Sequence, residues 1–164
     1  MALYTNSSTI GVNLGNSDGA TALFGLGNTI MGQYDTEWVY VNASVALATG
    51  TAVVINSSGT ASLLNGTLST TSTGKQIAFS QGTFAASDYG WVARRGNGIY
   101  VLVSSVSTVS VILYNCDNSG TLTTTSATNT IAGISLITAS STGIVTAVPA
   151  FVSWPRLVTA PLIV

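Results

Sequence analysis

Short apolar runs separated by Gly, Asn, Ser and Thr punctuate the sequence, and from Glu37 onward they alternate with the period of β-strands. Trp38-Val39-Tyr40-Val41 joins aromatic and β-branched residues, the types favoured in strands. Further strands are predicted at Thr51–Ile55 and Thr60–Leu64, joined by an Asn56-Ser57-Ser58-Gly59 turn, and at Lys75–Ser80 with Ile77 and Phe79 on one face. Tyr89–Arg94 and Gly98–Val103 flank Gly96-Asn97-Gly98, which reads as a β-hairpin. Val109–Tyr114, Thr121–Thr125, Ile131–Thr138 and Ile144–Val152 complete the set, and Pro149 marks the last as an edge strand or one that ends early. The one Ala/Leu-containing stretch, Asn42–Ala48, is too short for an amphipathic helix. About ten short strands with turns at roughly 8–12-residue spacing predict an all-β fold, a compact sandwich or barrel-like domain.

The first 33 residues follow another pattern. Glycines at 11, 15, 19, 25, 27 and 32 interrupt each apolar run, yet Leu3, Tyr4, Ile10, Leu14, Leu23, Phe24, Leu26 and Ile30 are too frequent for a solvated linker. The expected organisation is an extended N-terminal arm at 1–33, a β domain at 34–155 and a C-terminal tail at 156–164. The arm is expected to lie on something apolar, such as a neighbouring subunit.

Composition sharpens this picture. The 164 residues suit a single domain. Hydrophobic residues make up 46% of the chain, which argues against disorder. Charged residues make up only 5%, against about 25% in ordinary domains, and the net charge is -1. Net charge near zero promotes association, so copies of the chain or a partner are expected to cover much of the surface. The N-terminus lacks the basic and apolar regions of a secretory signal, the single Cys116 excludes an intrachain disulfide, and no apolar run reaches the length of a membrane helix.

The chemistry-bearing residues are sparse. With no histidine, the commonest general base and metal ligand are both missing. Asp35 and Glu37 would share a strand face and could offer oxygens to a hard cation, but such an ion takes about 6–8 ligands, and a solvated strand entrance fits better. Gly15-Asn16-Ser17-Asp18-Gly19 has the spacing of a nucleophile elbow without a histidine, and reads as a turn. Four basic residues cannot form a nucleic-acid patch. Arg94 and Arg95 point to opposite strand faces; one is expected at a subunit contact or paired with a carboxylate such as Asp88. Trp38, Trp91 and Trp154 read as core or interface anchors. The interface candidates are Leu3, Tyr4, Ile10, Leu14, Phe24, Arg94, Arg95, Trp154 and Arg156. No catalytic set, cofactor or metal is expected.

From Glu37 to Arg156 the order of motifs resembles the small β-rich cement or decoration proteins of tailed-bacteriophage capsids. The matching pieces are Glu37-Trp38-Val39-Tyr40-Val41, Val53-Val54-Ile55, Ile77-Ala78-Phe79 and Asp88-Tyr89-Gly90-Trp91-Val92. Leu113-Tyr114, Gly120-Thr121-Leu122, Ile131-Ala132-Gly133-Ile134 and the closing Trp154-Pro155 follow. The likeness covers about three quarters of the chain and carries no catalytic motif. It implies a non-enzymatic virion protein, made in the host cytoplasm, that sits on the major capsid shell as a homo-oligomer, a trimer before a dimer, and bridges capsomers. It departs from the family in its long arm and very low charge. A receptor- or glycan-binding β module of a phage tail or fibre is the alternative.

Overall fold

The structure, a computed structural model, describes residues 12–65, 76–104, 108–109, 113–115, 119–124, 129–140 and 144–159. Among these the protein is all-β, with no α-helix. Two three-residue strands come first, β1 (Ser17–Gly19) and β2 (Thr29–Met31), followed by a single 3-10 turn at Gln33–Asp35. Then come β3 (Glu37–Ala43), β4 (Ala52–Ile55), β5 (Thr60–Leu63) and β6 (Gln76–Ser80). A long β7 (Tyr89–Val103) is followed by β8 (Leu113–Asn115), β9 (Leu122–Thr123), β10 (Asn129–Leu136) and a second long strand, β11 (Thr146–Thr159).

The pairings close two five-stranded circuits that share β7. In the first, β3 pairs antiparallel with β7, β7 with β6, β6 with β4 and β4 with β5, and β5 returns parallel to β3. In the second, β7 pairs antiparallel with β11, β11 with β10, β10 with β8 and β8 with β9, and β9 returns parallel to β7. The order and sense of pairing are the same in both. Strand β7 is therefore the last strand of one barrel-like unit and the first of the next.

The duplication extends to residues. Tyr40-Val41-Asn42-Ala43-Ser44 corresponds to Tyr100-Val101-Leu102-Val103-Ser104, and Ser58-Gly59-Thr60 to Ser119-Gly120-Thr121. The Ser44 amide and hydroxyl both donate to the Ala61 carbonyl, at 2.9 and 3.0 Å. The Ser104 amide and hydroxyl both donate to the Leu122 carbonyl, at 2.8 and 3.3 Å. Each serine thus closes the parallel junction of its own circuit. Gly59 and Gly120 both hold a positive φ in the turn before the parallel strand.

Alternation sorts the side chains into two cores. Val39, Val41, Ala43, Val53, Ile55, Ala61, Ala78 and Val92 form a small core with Leu47 and Phe84. The opposite side chains of the same strands, including Trp38, Tyr40, Val54, Ile77, Phe79 and Trp91, join a larger core with Ile99, Val101, Leu122, Val148, Ala150 and Val152 of the second circuit. Ile77 and Phe79 do share a face, as their spacing predicts.

Three expectations change. Gly96-Asn97-Gly98 makes no hairpin; it lies inside one continuous strand whose two halves have different neighbours, β3 before it and β11 after it. Gly98 (φ 76°) is instead the extra residue of a bulge opposite Ala150 and Phe151, while Gly96 (φ 140°) stays in register with Val152, and a Cβ on Gly96 would lie 2.5 Å from Thr36 Cγ2. Pro149 does not end the strand, which runs on to Thr159, but it does stand in an edge stretch: the ladder to β10 stops at Ala150, with only the Ile137 amide still reaching the Pro149 carbonyl, while Tyr100 of β7 lies opposite on the other side. A proline fits because it sits at a position where the missing N–H is not needed by the ladder. Finally, residues 15–19 are not simply a turn, since Ser17–Gly19 pairs with Tyr89 and Gly90.

The segment 12–33 lies on its own chain. Besides β1 on β7, β2 pairs with β3, Leu14 is buried in the larger core, and Phe24 packs edge-on against Tyr40 at 5.3 Å and tilted against Trp91 at 5.4 Å. The apolar partner of this part of the arm is thus the outer face of β3 and β7.

Candidate functional site: a charged clasp where the two circuits meet

Four of the nine charged residues converge at the waist of the molecule: Asp35, Glu37, Arg94 and Arg95. Arg95 is the register partner of Glu37 on β3 and of Ser153 on β11, so the three strands meet at this residue. Glu37 opens β3, and Asp35 ends the 3-10 turn before it. Trp154 follows Ser153 and is 51% exposed.

The geometry is a clasp. Glu37 Oε1 accepts from Arg94 Nε at 3.0 Å and forms an ion pair with Arg94 Nη2, while Oε2 accepts from the Trp154 indole N–H at 2.8 Å. Arg94 Nη1 donates to Gln76 Oε1 at 3.1 Å. Arg95 pairs with Asp35, and its guanidinium lies 4.5 Å over the Trp154 ring, within cation–π range. Strands β3, β6, β7 and β11 are tied together by side chains. Burial alone would raise the Glu37 carboxyl, but hydrogen bonds from Arg94 and Trp154 and the charges of both arginines outweigh it and hold the carboxyl below its ordinary value.

Backbone conformation aims these groups. Tyr34 (φ 57°), Asp35 (φ 59°) and Trp154 (φ 41°) are three of the four non-glycine residues with positive φ among the described ones. Each such residue costs roughly 1–3 kcal/mol and persists only where surrounding contacts over-determine it.

The acidic residues do not lie as their spacing suggests. Asp35 is in a turn rather than on the strand face of Glu37, and each carboxylate faces a different arginine. Glu37 is buried rather than a solvated strand entrance. No group of three or more His, Cys, Asp or Glu that could hold a metal occurs among the described residues. Asp88 pairs with neither arginine; it accepts from Ser17 Oγ at 2.8 Å and the Ala85 amide at 2.9 Å. Asp18 accepts the Tyr40 hydroxyl at 2.8 Å. In contact with Asp18 and set among buried rings, Tyr40 has its pKa raised, with desolvation the largest cause.

Of the interface candidates, Arg94, Arg95 and Trp154 come together in the clasp, with Arg156 two residues further along β11. Leu14 and Phe24 pack within the chain, and Leu3, Tyr4 and Ile10 lie outside the described residues. Sequence reasoning misses Gln76 and the pairing of Trp154 with Glu37, a contact 117 residues apart in the chain that local pattern does not reach.

Two grooves flank the clasp. One of about 520 Å³ runs between Arg94, Gln76, Val39 and the Asn56–Gly59 turn under Leu26. The other, of about 280 Å³, lies beside Trp154 and Arg156 over Gly133. The arginine in the first is already bound by Glu37 and Gln76, so the clasp works mainly as a tie between strands. No protein-family model, curated protein or solved structure matches this chain.

Proposed function

We propose that this chain is a structural virion protein, a cement or decoration protein that binds the outside of a phage head and stabilises contacts between capsomers. The observation that carries the reading is a doubled β unit with only nine charged residues, four of which are paired with one another in its own clasp. A surface poor in charge can be buried against a shell with little desolvation penalty. A partner interface needs roughly 1,600 Å² in total, and β strands locked at the waist provide a rigid body on which to present it. The motif order from Glu37 to Trp154-Pro155 supports the same reading. Its partners are the major capsid shell and further copies of the chain, on the virion surface, with no enzymatic step and no cofactor.

The alternative, a receptor- or glycan-binding module of a tail or fibre, asks for aromatic rings grouped on an exposed surface. Trp38 and Trp91 are buried and do not join the exposed Trp154, so the three tryptophans form no common exposed platform, which favours the cement reading. The test is addition of purified protein to undecorated heads. Binding at a fixed number per capsomer, with raised resistance to heat or chelator, is expected; failure of both sinks the proposal. Binding to host cells or glycan arrays without affinity for heads selects the alternative.

A further inference from the structure

The duplication allows one face of the molecule to be judged by its counterpart. In the first circuit the outer side of the β3–β7 pair carries Trp38, Tyr40, Trp91 and Ala93, all buried. Residues 12–33 lie over this side through Leu14, Phe24 and Ile30. The two circuits correspond by register. Tyr40 opposite Trp91 becomes Tyr100 opposite Pro149, Val39 opposite Val92 becomes Ile99 opposite Ala150, and the inward residues stay inward. The outer side of the β7–β11 pair is therefore the counterpart face. It carries Tyr100, Leu102, Pro149 and Phe151, and among the described residues no segment like 12–33 lies over it: the first three are half-buried and Phe151 is 50% exposed.

The same region is nearly without charge. From Gly96 to Pro155 the sequence has one charged residue, Asp117. A charged partner would lose hydration on such a face with nothing to pair against. A charge-poor partner would not, and this chain, at 5% charged residues, is such a partner. In the first circuit the chain itself supplies the cover, from a segment with the same glycine-punctuated, charge-poor character.

We propose that the outer face of the β7–β11 pair, carrying Tyr100, Leu102, Pro149 and Phe151, is the surface by which one copy of this chain docks on a second. The proposal concerns self-association in solution and stands apart from the binding of heads. Its experiment is sedimentation of the full chain over a wide concentration range, comparing the wild type with Phe151→Glu and with Val45→Glu, which alters an exposed residue beyond β3 in the first circuit.

The expected result is a wild type of at least twice the chain mass and a Val45→Glu variant that matches it. Phe151→Glu should fall to about half that mass or less, with an unchanged circular-dichroism spectrum. Should Phe151→Glu not fold, Phe151→Ser provides the same comparison without the added charge. A monomeric wild type overturns the proposal, as does a Phe151 variant that associates like the wild type. A wild type that is monomeric alone but whose Phe151 face gains hydrogen-exchange protection on purified heads assigns the face to the shell, and also overturns it. Head binding by a monomer, or no head binding by a multimer, keeps this failure distinct from that of the cement reading.

Discussion

Glu37 is the residue on which the clasp turns, because its two oxygens hold an arginine of β7 and the indole of β11 at once. Replacing it with Gln keeps the shape and removes the charge facing Arg94 and Arg95. Hydrogen bonds to charged groups contribute about 1.5–3 kcal/mol, and a loss in the lower part of that range is expected for Glu37→Gln, because Arg94 keeps partial access to water. Urea unfolding with a lowered midpoint and unchanged slope would show it. The folded carboxyl titrates below its ordinary value of 4.5, so its stabilisation is fully present above that pH and is lost as pH falls through the lowered folded value. Glu37→Gln should lack that part of the acid sensitivity, read as a smaller drop in melting temperature between neutral and acidic buffer. Gly96 makes a second residue-scale test. Alanine there meets both a positive φ and the Thr36 side chain, and a loss of roughly 1–3 kcal/mol in denaturant midpoint is expected.

At the scale of elements, the strands whose apolar residues recur in short runs were legible before any coordinates. β3, β4, β5 and β6 lie within two residues of where alternation predicts them. What alternation does not carry is which strand lies beside which. Gly96-Asn97-Gly98 has the composition of a hairpin turn, but a hairpin also needs its flanks to pair with each other, and here Val39 and Ala150 take the flanks instead. Pro149 marks an edge but not an end: the β10 ladder stops at Ala150, so the missing N–H costs no pairing there, while the strand itself continues to Thr159. The repeat was open to reading, since Tyr-Val-x-x-Ser and Ser-Gly-Thr both recur, but those signatures are short and the strands they join are separated by loops of different length. The clasp was half legible: the Arg94-Arg95 doublet and the acids at 35 and 37 stand out, while their pairing depends on the fold. The segment 12–33 acts as a cover for Tyr40 and Trp91, so Leu14→Ala, at a site buried to 2% exposure, should destabilise the whole domain by about 2–5 kcal/mol in thermal or urea unfolding.

For the whole molecule, the shared strand means that neither circuit is complete without residues of the other. Unfolding is expected to be a single transition. Tryptophan fluorescence, which reports on Trp38 and Trp91 of the first circuit and Trp154 beside the second, should coincide with far-ultraviolet circular dichroism. Two separated transitions would mean that the circuits melt apart despite β7. The same strand also sets an order of events during synthesis. The first circuit has all its strands once β7 has left the ribosome, but β7 beyond the bulge waits for β11, the last strand made. At about 5–20 residues per second, that wait between Val103 and Thr159 lasts roughly 3–11 s. For those seconds a nascent chain presents an unpaired edge of Ile99, Val101 and Val103, the kind of template on which strands of neighbouring chains pair wrongly. Chains made side by side on one messenger would therefore be exposed, for those seconds, to pairing with their own half-finished siblings.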